Sequence, residues 1–442
     1  MRHCMTNQRT HFSYPEAPSP SNHEPNDRAD RRGAPGSRSP RVVAGFIAAG
    51  LALSGCSSGP YVTRGGSLSP DDIRSATVVV REVPHKDVQA LFEEMAHMAR
   101  SSETMNPDIR ALLIARAKSQ GHGSGFVLVR ALKEGPSPFI VTNHHVVEYA
   151  STVEVSFEDN ARLSGCNVIY DDRRADLAVI DCESKSSPHF SWGLGLSKET
   201  PHDLDSVIAA GFPALGGAPA YQSTQGKVSN SRYKDDDKRV LLQHTAPIDP
   251  GSSGGPLLDE EGQLLGVNTL KARGRDSVYL AVPTHAVEAI LDKAILAKQS
   301  FADPQKKKAT LLAACKAFAD EVASEDATNE AVSDFISNEL IAKHGMESFN
   351  MVFQAMPDRH EQLTGMFLGD PIAAMRFAIV LRLRIEVDGA GGECACESIH
   401  ENDLGLLERE SGVRVKFRVG GDRHEGKWTV EHGHWKLAGF QF

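Results

Sequence analysis

Short apolar runs separated by polar turns dominate the first two thirds of the chain. Ala76–Glu82 (ATVVVRE), Phe126–Val129, Pro138–Val147 (PFIVTNHHVV), Thr152–Phe157, Ala161–Tyr170 and Leu177–Cys182 each run apolar or alternate over a strand's length. Ser206–Gly211, Gly226–Ser229, Arg239–Gln243, Leu264–Asn268 and Val278–Val282 continue the series, with turn residues such as Glu158-Asp159-Asn160 and Asp171–Arg174 between. Many short strands with polar turns predict an antiparallel sandwich or barrel. Gly121–Gly125 reads as a tight turn into a strand, and the charged segment Ser231–Lys238 as a solvated loop. Two stretches break the pattern. Leu91, Met95, Met98, Ile109, Leu112, Leu113 and Ala117 recur at helical spacing, a mostly helical insertion over about 85–120. Thr284–Leu296 is amphipathic, with Thr284 placed to cap it, and closes the domain.

After residue 300 the order changes. Leu311, Cys315, Phe318 and Val322 mark one helix; Val332, Phe335, Ile336 and Leu340 mark a second; a third surrounds Met346–Met356. Strands are expected at Phe377–Val387, Val413–Val419 and Lys427–Phe442, with Gly420-Gly421 and Gly433 at turns. Residues 301–442 thus read as a smaller α+β domain. The N-terminus is different again. Residues 1–40 are rich in Pro, Ser, Asn and Arg and read as disordered. Arg31, Arg32, Arg38 and Arg41 then precede the apolar run Val42–Leu53 and the tetrad Leu53-Ser54-Gly55-Cys56. A basic segment, a short apolar core and small residues make a secretory signal, too short to span a bilayer, which takes about 20 residues. Residues 57–74 read as a flexible tether.

Composition sets limits on partners. The chain has 442 residues, 24% of them charged, and a net charge of −10, so general nucleic-acid binding is excluded. The seven cysteines show no zinc-ligand spacing, and no metal or cofactor site is expected. Cys166 and Cys182 flank the Asp171–Asp176 turn symmetrically. Both a disulfide and a pair of buried thiols fit that placement.

The chemistry centres on Gly251-Ser252-Ser253-Gly254-Gly255-Pro256. Glycines allow the sharp bend that can aim successive N–H groups at one oxygen, as acyl transfer requires. A serine nucleophile also needs an imidazole base and a carboxylate to orient it. The base should come from Asn143-His144-His145 at a strand end, where alternation lets one histidine face the site. The carboxylate candidate is Asp176, opening the apolar run Leu177–Ile180. Ser252 is the local competitor of Ser253. Gly-x-Ser-x-Gly also fits the nucleophile elbow of α/β-hydrolases, but that fold needs the histidine after the serine, and His285 has a bland solvated reading.

The joint pattern is more specific. GSGF at Gly123–Phe126, TNHHV at Thr142–Val146, DLAV at Asp176–Val179, GFP at Gly211–Pro213, GSSGGP at Gly251–Pro256 and AVP at Ala281–Pro283 together resemble the trypsin-like serine endopeptidases, nearest the HtrA-like (Deg) branch. The likeness covers about Ser75–Lys298. It implies a mostly β, chymotrypsin-like double antiparallel barrel hydrolysing unfolded or extended polypeptides. His145 would be the base, Asp176 the orienting acid, Ser253 the nucleophile, and the N–H groups of Gly251 and Ser253 the oxyanion hole. Ile248 would make the first specificity pocket shallow and apolar, and Asn268 and Thr269 would pair with substrate backbone. The signal resembles that of bacterial lipoproteins, implying lipidation at Cys56 and a membrane-anchored envelope protein. A homo-oligomer is compatible with the family, although the aromatic N-terminal residues that mark such contacts are not recognisable. The sequence departs from the family at Ser252, where Asp or Asn is usual, and in lacking a recognisable PDZ domain. Residues 301–442 loosely resemble nuclear-transport-factor-2-like accessory domains, from the helix-then-sheet order and the Trp428–Trp435 hairpin. A protease-fold binding protein without turnover is the alternative.

Overall fold

The computed structural model describes residues 61–440 apart from 102–104, 106, 119–120, 184–186, 215–217, 236–237, 272–277, 325–327, 387–394, 400–405, 408 and 420–421. Cys56, the signal-like stretch and the Gly420-Gly421 turn lie outside the described residues. The described residues belong to one compact unit.

Two closed barrels of six antiparallel strands form its centre. The first contains β1 (Thr77–Pro84), β2 (His122–Leu132), β3 (Gly135–Thr142), β4 (Ala150–Ser156), β5 (Arg162–Asp172) and β6 (Leu177–Asp181), closed in the order β1-β2-β3-β6-β5-β4. The second contains β7 (Ser206–Gly211), β8 (Gln222–Lys234), β9 (Val240–His244), β10 (Pro256–Leu258), β11 (Leu264–Lys271) and β12 (Tyr279–Pro283), in the order β10-β11-β12-β9-β8-β7. Strand alternation explains the continuous apolar runs. Phe126, Leu128, Phe139, Val141, Leu177 and Val179 join a core shared with the second barrel and the closing helix, whereas Val127, Val129, Ile140, Ala178 and Ile180 join a core of the first barrel's own strands. Strands buried on both faces have no polar face to show, and each fully buried aliphatic side chain contributes about 1.5–3 kcal/mol.

Several expectations change. The segment read as a tether folds onto the barrels from Tyr61 onward: Tyr61 bridges Arg130, Thr63 bridges Gly193, and Ser69 and Asp72 form a capping box for the helix α1 (Pro70–Ala76). Gly123–Gly125 lie within β2 rather than in a turn, and Ser231–Lys234 belong to β8, paired with β9, rather than to a loop. The closing helix starts one residue earlier than its expected cap, with Pro283 at the N-cap and Thr284 inside. The two insertion helices, α2 (Lys86–Ser101) and α3 (Pro107–Ala117), bury Val88, Leu91, Phe92, Met95 and Leu113 in the same core as the C-terminal helices.

The closing helix α5 (Thr284–Ala302) leads into α6 (Pro304–Ala323), α7 (Asn329–Ser333), α8 (Asn338–Ala355), α9 (His360–Gly369) and α10 (Pro371–Glu386). A four-stranded sheet follows: β13 (Ala395–Ile399), β14 (Ser411–Val419), β15 (Asp422–Glu431) and β16 (His434–Phe440), in sequential order. The strand expected at Phe377–Val387 is α10 instead. Its Leu-Arg-Leu-Arg alternation imitates a strand, but Met375, Ile379 and Leu383 are buried at the i, i+4 spacing of a helix. Cys166 is disulfide-bonded to Cys182, tying β5 to the end of β6, and Cys315 to Cys396, tying α6 to β13. The second bond, across 81 residues, was not foreseen.

Candidate active site

The chain leaves β3 at Thr142 and turns at once into a four-residue helix, α4 (His144–Val147). The two histidines therefore sit on a helical turn, not on the strand end, and their divergence comes from helical rotation. His145 Nδ1 lies 2.9 and 3.0 Å from the Asp176 carboxylate oxygens, and the His145 backbone N–H donates to Oδ1 at 3.2 Å. Asp176 is held in the left-handed region at φ 53°, a conformation Asp tolerates better than most residues. Asn143 fixes it there, donating from Nδ2 to its carbonyl at 2.8 Å. Burial works to raise the Asp176 carboxyl pKa, but hydrogen bonds from His145 and Thr269 outweigh it, holding the carboxyl below its ordinary range. A side chain 40% exposed leaves His145 open to solvent on its other edge.

Ser253 reaches the same carboxylate through one residue. Its hydroxyl donates to the Thr269 carbonyl at 2.8 Å, while the Thr269 hydroxyl donates to Asp176 Oδ2. Ser253 stands in paired turns closed by Ser252 N–H to Asp249 O and Gly255 N–H to Ser252 O, at 2.9 and 3.0 Å. Gly251 and Gly254 adopt φ of 101° and 87°, and a Cβ at Gly254 would lie 2.1 Å from the Ser124 carbonyl. Gly123 marks where α4 and the serine loop converge: a Cβ there would meet Val146 at 2.5 Å and the Ser253 carbonyl at 2.9 Å.

Residues 123–267, which span these three groups, match the family model of the trypsin-like peptidase domain. The chain is 32% identical over 199 residues to the putative serine protease HhoB of Synechocystis, covering 42% of this chain and 41% of that one. It is 34% identical over 171 residues to the serine protease Do-like HtrB of Bacillus subtilis, covering 36% of each. It is 31% identical over 183 residues to a probable periplasmic serine endoprotease DegP-like of Chlamydia pneumoniae, covering 41% of this chain and 36% of that one. The double barrel is similar to the trypsin-like peptidase domain, and these relatives are HtrA-like serine proteases. The chain spans less than half the length of each of these relatives.

The loop around Ser252 is ordered from the opposite barrel. The Ser124 hydroxyl, on β2, donates to the Gly251 carbonyl at 2.7 Å and accepts the Phe212 N–H at 2.8 Å, and Ser124 N–H donates to the Ser253 carbonyl at 2.7 Å. His122 Nε2 lies 3.0 Å from the Phe212 carbonyl. These bonds turn the Gly251 carbonyl onto Ser124. Among the described residues, no backbone carbonyl accepts the N–H of Gly251 or of Ser253. Ser252 itself is only 4% exposed, packed where a Cβ on Gly211 would touch it. Ser124 was visible in the sequence only as part of a motif; nothing local showed that its hydroxyl would reach residue 251.

The expected substrate-contact residues separate. Ile248 is half-buried against the second barrel's core. Asn268 is fully buried; its Nδ2 donates to the Pro256 carbonyl, and its backbone N–H and C=O are taken by Gly255 and Gly254. That leaves Asn268 no backbone group for a substrate strand. Thr269 is the member of the pair that touches the site, through both its hydroxyl and its carbonyl.

Proposed function

We propose that this chain is a serine endopeptidase that hydrolyses peptide bonds of unfolded or extended polypeptides, with Ser253 as nucleophile, His145 as general base and Asp176 as the orienting acid. The observation that carries the reading is the shared carboxylate: Asp176 meets His145 on one side and, through Thr269, the segment holding Ser253 on the other. Attack requires the Ser253 hydroxyl to swing from the Thr269 carbonyl towards His145 Nε2. His145 takes the proton as the acyl bond forms and returns it to the leaving amine; Asp176 stabilises the imidazolium. The N–H groups of Gly251 and Ser253 serve the oxyanion, each such donor supplying about two to three orders of magnitude in rate. Ile248 favours small aliphatic side chains at the cleaved position. The Chlamydia relative's name places that protein in the periplasm; with the signal-like N-terminus, it supports an envelope location here, anchored by a lipid on Cys56.

A serine-directed fluorophosphonate probe tests the activity. Wild type should label and Ser253→Ala should not. An unlabelled wild type, or equal labelling of the variant, removes the enzyme reading and favours a binding cleft without turnover, the alternative to which the Ser253–Thr269 bond lends weight. A cleavage-site profile on an unfolded protein tests the pocket, and membrane fractionation of Cys56→Ala tests the anchor.

A further inference from the structure

The helix carrying His145 is a single turn, and isolated helices that short do not hold themselves. The first barrel's core buries its Val146 and Val147, and further supports come from the C-terminal helices and sheet. At the end of α4, the Glu148 carbonyl accepts Asn338 Nδ2 at 2.8 Å, and the Glu148 carboxylate lies 2.7 Å from Arg173 and 3.4 Å from Arg376. Asn338 opens α8, and its backbone N–H donates to the half-buried Glu431 at the end of β15. Next to His145, His144 Nδ1 sits 2.8 Å from Asp171 Oδ2, and the same oxygen lies 3.0 Å from His432 Nδ1. His434 Nε2 donates to the Asp171 carbonyl at 2.9 Å. His432 Nε2 donates to the Ala150 carbonyl at 2.9 Å. Both partners of the His432 ring are acceptors, so the ring donates from both nitrogens and is an imidazolium. The tip between these histidines is Gly433, at φ 74°, seated so closely on β5 that a Cβ would lie 2.1 Å from the Ile169 carbonyl.

We infer that the C-terminal part of the chain is a positioning element for the catalytic groups: the His432–His434 tip and Asn338 hold, from behind, the helical turn bearing His145 and the β5–β6 turn bearing Asp176. The inference rests on the catalytic reading above. Both turns belong to the first barrel, whereas Ser253, Ile248 and Thr269 belong to the second. Loosening the grip therefore misplaces base and acid while leaving the substrate-binding barrel intact. Misplacement of about 1 Å costs on the order of a hundredfold in rate, so the expected signature is a fall in kcat with little change in KM.

The test uses the full chain with two variants. His432→Ala removes the imidazolium, and Asn338→Ala removes a neutral hydrogen bond to the Glu148 carbonyl, the milder change should the first fail to fold. Thermal unfolding establishes the folded fraction. Fluorophosphonate labelling rates and peptide-substrate kinetics are then measured well below the transition. Folded variants should label about 10–100-fold more slowly, with kcat reduced in parallel and KM within about twofold. Folded variants that label at the wild-type rate overturn the inference. So does a loss accounted for entirely by unfolded protein in both variants, because the contacts are then structural only. Failure of wild type to label is a separate result and removes the catalytic reading itself.

Discussion

His144 and His145 are neighbours on one turn of helix, and each presents Nδ1 to an aspartate, Asp171 near the end of β5 at 2.8 Å and Asp176 in the β5–β6 turn at 2.9 Å. The pairs differ in what surrounds them. His145 has an exposed side chain, and its carboxylate is shared with Thr269, which also holds Ser253. His144 is buried, its Nε2 meets no hydrogen-bond partner among the described residues, and its carboxylate is shared with His432 of the C-terminal sheet. Under the proposed function, one geometry serves two purposes. A histidine–aspartate pair becomes a base when the far nitrogen is open beside a nucleophile, and a clasp when that nitrogen is sealed.

The largest expected effect lies on the open pair. His145→Ala should lower kcat about a millionfold and Asp176→Asn about ten-thousandfold, measured on one peptide substrate at fixed pH. His144→Gln, one residue away, should cost at most about a hundredfold, as a positioning change. If His144→Gln and His145→Gln are equally damaging, the contrast is broken and the base has been assigned to the wrong ring.

Stability should reverse the ranking. Asp171 is fully buried; burial works against its charge, yet His432, His144 and His434 together hold its carboxyl well below the ordinary range. Asp171→Asn would strand the His432 imidazolium, and removing one partner of a buried pair typically costs about 3–5 kcal/mol. Asp176→Asn leaves His145 part-exposed, so water can solvate it, and Asn suits the left-handed backbone at that position. Denaturant unfolding of the two variants should therefore show Asp171→Asn as clearly the less stable. Equal losses would mean that the sealed pair is no clasp.

A smaller effect is expected where the barrels meet. Ser124→Ala deletes the hydroxyl joining the Gly251 carbonyl to the Phe212 N–H. The proposed oxyanion donors, the N–H groups of Gly251 and Ser253, remain but lose their support, so kcat should fall about 10–100-fold, less than deletion of a donor itself. Affinity for a tetrahedral boronate inhibitor should fall with it. An unchanged inhibitor affinity would show that the serine loop orders itself.

These contrasts separate what was legible in the sequence from what was not. The barrels were legible because strands buried on both faces, such as Phe126–Val129 and Leu177–Ile180, have an unbroken apolar signature. The residues that meet around Asp176, namely His145 and the segment of Ser253, were visible through short local motifs. Contacts across long separations leave no local trace: His432 meets Asp171 across 261 residues, and Ser124 reaches Gly251 across 127. The insertion helices were found by period, but not their partner, because a helix face does not say which core it enters. In α10 the apolar and basic residues alternate, and local pattern favoured the wrong element until burial at i, i+4 resolved it.

A graded effect, spread over several pH units, again sets the sealed cluster against the rest. His432 is buried. Burial alone would lower its pKa, but Asp171, then Glu431 and the Ala150 carbonyl, push it up to about 9, against an ordinary 6.5. Arg173, facing Asp171, and Lys436, facing Glu431, are the cationic groups nearby, and His144 and His434 are the other imidazoles on Asp171. Its stabilising contribution is fully present below about pH 6.5 and is lost as pH rises through about 9, because the folded state then holds the extra proton. His244 behaves oppositely. It is buried, with no side-chain partner for either ring nitrogen among the described residues, and burial, against a smaller opposing effect of the Ala246 backbone, pushes its pKa down to about 4. Between about pH 6.5 and 4 the unfolded chain binds the proton more readily, so stability falls as pH drops, by about 3 kcal/mol across the window. Melting temperature against pH should therefore fall on both sides of neutrality. His432→Gln should remove the alkaline slope and His244→Phe the acid slope, each leaving the other in place. An alkaline slope that survives His432→Gln would mean that the clasp is not held by an imidazolium.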